Sequence, residues 1–128
     1  MPIEYKIDHS RRLVMAWASG NLTAEEIFVY QHEVWSRSEV KGYDELIDMR
    51  NVEEIVSPSR DRVEKLAKLS SEMDDEATAS KFAIVASDAL AYGIGRIYES
   101  YRNLDPRSTK TVRVFRSMQE AMDWIEGK

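Results

Sequence analysis

Arg50, Asn51, Ser57, Ser87, Asp88 and Arg116 are the residues whose types and positions could do chemistry in this chain. They follow three apolar runs that read as strands: Asp44 to Met49, Phe82 to Ala86, and Thr111 to Phe115. In a parallel α/β sheet, ligands bind beyond the carboxyl ends of the strands. Two guanidinium groups beside helix amino ends would suit an anionic group there. Hydrolysis demands more, namely a nucleophile with a base in reach. No G-x-S-x-G elbow occurs, and neither His9 nor His32 falls near this edge. The set therefore reads as a ligand site with no catalytic residue. A small enzyme acting on an anionic substrate at the same edge is the alternative.

Asp48 interrupts an apolar strand, and its expected role is structural, held by backbone amides or arginine rather than acting as a general base. Glu53 and Glu54 read as solvated loop charges. The two histidines have neither cysteine nor histidine partners at ligand spacing, so no metal site is expected. Gly93-x-Gly95 lies inside a helix rather than opening one after a strand, which does not suit a dinucleotide fingerprint, and no cofactor is expected. Each helix glycine costs about 1 kcal/mol against alanine, so close backbone approach is the better reason for the pair. Trp17, Trp35, Tyr92, Tyr98 and Tyr101 are candidates for a pocket wall or a subunit contact, because aromatic residues are favoured at interfaces.

Composition narrows the partners. The net charge is −5, without a lysine or arginine cluster, which disfavours nucleic acid and anionic membranes. The 43% hydrophobic and 32% charged content fits one soluble domain spanning residues 1–128. Cysteine is absent, which excludes disulfides and thiolate metal sites. No run resembles a signal peptide or is long enough to cross a bilayer, so the expectation is a cytoplasmic protein that is not integral to a membrane.

These residues need elements to position them. Ile3 to Asp8 alternate apolar and polar with period two, a half-exposed strand. Leu13 to Ala18 is apolar on both faces, and the short link between the two runs predicts an antiparallel hairpin. Ser19-Gly20-Asn21 then breaks the strand. Thr23-Ala-Glu-Glu26 is a capping box, followed by Ile27, Phe28, Gln31, Val34 and Trp35 on one helical side. Ser57-Pro58 suits the cap and first position of a second helix bearing Val63, Leu66, Ala67, Ser70 and Met73. Residues 73–80 read as a mobile acidic link. Ser87-Asp88 caps a third helix with Leu90, Ile94, Ile97 and Tyr101 inward, and Ser117-Met-Gln-Glu120 caps a last one.

The order is β-β-α-β-α-β-α-β-α: a mixed, mostly parallel sheet of about five strands with about four helices. Right-handed crossovers between neighbouring strands would put the connecting helices on one face. The other face then needs a cover: a strand order that reverses in part would place helices on both faces, and otherwise a homodimer or an apolar ligand would supply it. The expected core is Val14, Met15, Ala16, Ile47, Met49, Ile84, Val85, Val112 and Val114, with Leu66, Ile94 and Ile125 packed on it.

Asp48-Met-Arg-Asn-Val52 after a strand, Ala83-Ile-Val-Ala86 leading to Gly93-Ile-Gly-Arg96, and Val114-Phe-Arg116 before Ala121-Met-Asp-Trp-Ile125 resemble the SpoIIAA-like family. That family is related to the STAS anti-sigma-factor antagonists. The resemblance runs from about Ile3 to Glu126. It implies a (βα) superhelix flanked by an N-terminal hairpin and no catalytic machinery. In STAS antagonists a serine opening the helix after this strand is phosphorylated by a partner kinase. Ser57 falls at that position, where the chain reads Val56-Ser57-Pro58-Ser59 against Asp-Ser-Ser-Gly in the antagonists. The CRAL-TRIO lipid carriers of the wider superfamily hold apolar ligands against the same kind of sheet. The functional expectation is a non-catalytic binding or regulatory module for a small or apolar, lipid-like ligand or a protein partner, with a phosphoswitch at Ser57 as a further alternative.

Overall fold

The computed structural model describes residues 3–56 and 59–127. Its elements run β1 (Ile3–Asp8), β2 (Leu13–Leu22), α1 (Ala24–Trp35), a 3-10 turn (Ser38–Val40), β3 (Asp44–Ile55), α2 (Arg60–Glu72), β4 (Ser80–Val85), α3 (Ala89–Leu104), β5 (Lys110–Phe115) and α4 (Met118–Glu126). The strands lie side by side in chain order, β1 antiparallel to β2 and the rest parallel. Thr23 and Glu26 form the capping box of α1, an arrangement in which the serine or threonine alone is worth about 1 kcal/mol.

Alternation along the strands separates two apolar layers. Val14, Ala16, Ile47, Phe82, Ile84, Val112 and Val114 face one side with Tyr30, Val34, Val63 and Tyr98 from the first three helices. Leu13, Leu46, Ala83, Val85 and Phe115 face the other, against Ala121, Met122, Trp124 and Ile125 of α4. The second face therefore finds its cover within the chain. α4 crosses back over β3, β4 and β5, with Trp124 5.6 Å from Phe115 between ring centres and its carbonyl accepting from Lys81 Nζ at 2.8 Å. The physical need that suggested a dimer is met by the last helix.

The expected core is recovered, with Met15, Met49, Leu66, Ile94 and Ile125 half-buried around it. Four details differ from the expectation. First, β2 and β3 do not stop at Ala18 and Met49. They run on together past the end of β4, pairing Ser19 with Asn51 and Leu22 with Ile55 across two register shifts. Gly20 takes φ of +66° between the shifts, a backbone that lets the ribbon bend without breaking.

Second, the cap of α2 is Ser59, whose hydroxyl accepts from the Arg62 amide, while Ser57 and Pro58 lie outside the described residues. Third, the inward face of α3 is Ala91, Gly95, Tyr98 and Arg102, one position round from the expected stripe, and Leu90 is exposed. A Cβ on Gly95 would sit 3.2 Å from Val114, so the missing side chain brings α3 close to β5. Fourth, the link at residues 73–80 is anchored: Asp74 accepts from Arg102 and from the amides of Thr109 and Lys110.

Candidate functional site

The six residues expected at the carboxyl edge divide into two groups. Ser87, Asp88 and Arg116 come together where β4 and β5 end. Arg116 lies 4.2 Å above the Tyr92 ring and donates to the Ser87 carbonyl at 3.4 Å, while Asp88 caps the Leu90 and Ala91 amides. Arg50 and Asn51 stand instead within the extension of β3. Arg50 is committed to Asp48, donating from Nε and Nη2 at 2.9 Å each. Burial works against the Asp48 charge, but these bonds outweigh it and hold the carboxyl below its ordinary range. A carboxylate so held is a poor general base, which agrees with a structural role. Ser57, the remaining member, lies outside the described residues.

The aromatic candidates do not share one surface. Trp17 is exposed on the α4 side of β2, Tyr92 lies under Arg116, Tyr101 lines a shallow surface hollow, and Trp35 and Tyr98 face the layer under the first three helices. Tyr98 belongs to an apolar cavity in that layer.

α2 packs against α1 and α3 more than against any strand, and the space beneath it is a cavity of about 110 Å³. Ile47, Met49, Phe82 and Ile84 form its floor, and Ile27, Leu66 and Ile94 its walls. The β2–β3 ribbon reaches over one side, so that Leu22, Ile55 and Val56 join exposed Arg62 at the rim. A dry cavity of comparable size admits a benzene-sized guest.

Polar groups gather at the inner end, toward the amino ends of the strands. Glu45 is 1% exposed, and its Oε2 accepts from the Tyr30 hydroxyl at 2.8 Å and the Trp35 indole N–H at 3.1 Å. Gln31 donates from Nε2 to Ser70 Oγ at 2.8 Å. Lys110 donates to the Tyr43 carbonyl at 2.6 Å and stands 3.8 Å above the Trp35 ring. Trp35 thus separates two buried charges, its N–H edge meeting the carboxylate and its electron-rich face the ammonium.

Burial raises the Glu45 pKa, with Lys110 and Tyr30 pulling the other way. Burial lowers that of Lys110, opposed chiefly by Glu45. The Tyr30 hydroxyl is raised well above its ordinary value by burial and by the Glu45 charge, so it stays a donor.

Of these inner residues only Trp35 stood out in the sequence, as a candidate pocket-wall or subunit-contact aromatic. Glu45 is in phase with Ile47 and Met49, and Lys110 with Val112 and Val114. A charged residue in step with the buried face of its strand was the signal available. No protein-family model matches the chain, and comparison with curated proteins finds no match.

The chain-ordered sheet, the N-terminal hairpin and the helix layers define a SpoIIAA-like α/β fold. Among solved structures, the chain is similar to an uncharacterised protein of the DUF3478 family with a SpoIIAA-like fold from Shewanella loihica PV-4. The TM-score is 0.61 at 16% identity, covering 96% of this chain and 93% of that one. Among the described residues no helix is long and apolar enough to cross a membrane.

Proposed function

We propose that this protein is a non-catalytic binding module that holds a small apolar molecule between its sheet and helices α1, α2 and α3. The observation that carries this reading is the cavity of about 110 Å³, walled by aliphatic and aromatic side chains and confined in polarity to its inner end and Arg62. Apolar walls with a few convergent polar groups are what a small-molecule site offers. Catalysis is not supported by the groups at hand. Of the hydroxyls in the lining, that of Tyr30 donates to Glu45 and that of Tyr98 accepts from Arg102, and the Glu45 carboxylate is already bonded to Tyr30 and Trp35.

Titration with toluene followed by methyl NMR tests the proposal. Shifts should concentrate on Ile47, Leu66, Ile84 and Ile94, with a rise in melting temperature as binding stabilises the native state. Ala91→Leu, which fills part of the same space, should abolish both effects. Shifts confined to exposed Val29 or Leu104 would refute the site.

A further inference from the structure

The inner end of the cavity has a sign. Several of its donors are taken by its own acceptors: the Tyr30 hydroxyl and the Trp35 N–H both go to Glu45, and one of the two Gln31 amide N–H groups goes to Ser70. Lys110 is turned to the Tyr43 carbonyl and the Trp35 ring. Strong acceptor capacity is left over beside them. A carboxylate offers about four lone-pair positions, and both hydrogen bonds to Glu45 fall on Oε2; among the described residues none reaches Oε1. The Gln31 carbonyl oxygen is likewise without a hydrogen bond among the described residues, and Gln31 and Glu45 both line the cavity.

An acceptor among apolar walls has few donors to turn to, so a guest that supplies a hydrogen bond is favoured over one that does not. A negatively charged head group would meet the Glu45 carboxylate in a water-poor space. A positively charged one would shed its own hydration within the field of Lys110. A neutral hydroxyl incurs neither penalty.

Building on the binding-module reading, we infer that the cavity selects an apolar molecule bearing one neutral hydroxyl group, which enters inner end first and donates to Glu45. Burial shifts Glu45 toward its protonated form, yet a carboxyl oxygen able to accept survives in either form. Donation by the guest hydroxyl to Glu45 therefore does not require the ionised form, whereas rejection of an anion does.

Toluene and phenol, nearly equal in size, separate the inference from the reading it rests on. In calorimetric titrations of the full chain, phenol should bind about tenfold tighter than toluene, the equivalent of one added hydrogen bond. Benzoate should bind more weakly than either. The Glu45 side-chain carboxyl carbon should shift with phenol and not with toluene. Gln31→Leu, which creates no unpaired charge, should narrow the gap between the two guests. If toluene and phenol bind equally, or benzoate binds best, the hydroxyl specificity is overturned while the cavity stands. If neither toluene nor phenol binds, the cavity reading itself falls.

Discussion

Asp74 and Arg102 form a buried ion pair between the end of α2 and the end of α3, their side chains only 4% and 1% exposed. Arg102 Nη2 reaches both carboxylate oxygens, at 2.9 and 2.8 Å, and Nη1 donates to the Tyr98 hydroxyl at 2.6 Å. Burial alone would favour the neutral guanidine; Tyr98 and Asp74 more than offset it, so Arg102 stays charged. Asp74 also gathers Ser108 and the amides at the start of β5. Asp74→Ala should therefore cost about 3–5 kcal/mol, the usual result of stranding one partner of a buried pair. Urea unfolding checks it, and a loss under about 1 kcal/mol would show that the pair does not hold α2 and α3 together.

Two acids on β3 should respond to pH in opposite directions. Asp48 has a folded pKa below its ordinary 3.8, so its contribution is complete above that value and lost as pH falls through the lower folded one. Glu45 has a folded pKa above its ordinary 4.5, so its favourable contribution is complete below 4.5 and lost as pH rises through the folded value. Stability measured against pH for Asp48→Asn and Glu45→Gln should diverge from the parent with opposite slopes. Parallel curves would contradict the assignment.

The two glycines of α3 should behave differently. A Cβ at Gly93 meets nothing within 4 Å, so Gly93→Ala should stabilise by about 0.5–1 kcal/mol through helix propensity alone. At Gly95 the new methyl meets Val114 at 3.2 and 3.3 Å, and the gain should be smaller or reversed. Equal gains in thermal melts would argue that α3 does not press on β5.

Ile84 lies on β4 between β3 and β5, 6% exposed, with Gly95 beside it and in the floor of the cavity. Ile84→Ala should cost about 2–5 kcal/mol, part of it from the space added to a site that cannot collapse. Chemical denaturation giving less than about 1 kcal/mol would remove Ile84 from the core.

The fold was legible because its signals are local: period-two alternation in β1, doubly apolar runs in β2 and β4, and serine or threonine caps. Strand lengths were less so. The ribbon of Ser19–Leu22 with Arg50–Ile55 is polar and contains Gly20, and only pairing between the two segments makes it a strand. The inward face of α3 was displaced because Gly95 and Arg102 break the rule that bulk and hydrophobicity mark the buried side. The first is inside for want of a side chain, the second because Asp74 neutralises it. The inner end of the cavity depends on residues from α1, β3 and β5 meeting in space, which no window of sequence contains. Phase along β3 gave a hint at Glu45 and no more.

The strict chain order of the sheet also bears on kinetics. Each strand adds beside the one made just before it, which keeps sequence separations short for a mostly parallel sheet and favours rapid folding. α4 is the exception, since it follows every strand and yet must reach back to β3. Until it docks, Leu46, Val85 and Phe115 are a sticky surface on a half-finished molecule. The dangerous interval in the life of this chain is therefore the one between completion of β5 and arrival of its last helix, when intermolecular association competes with folding.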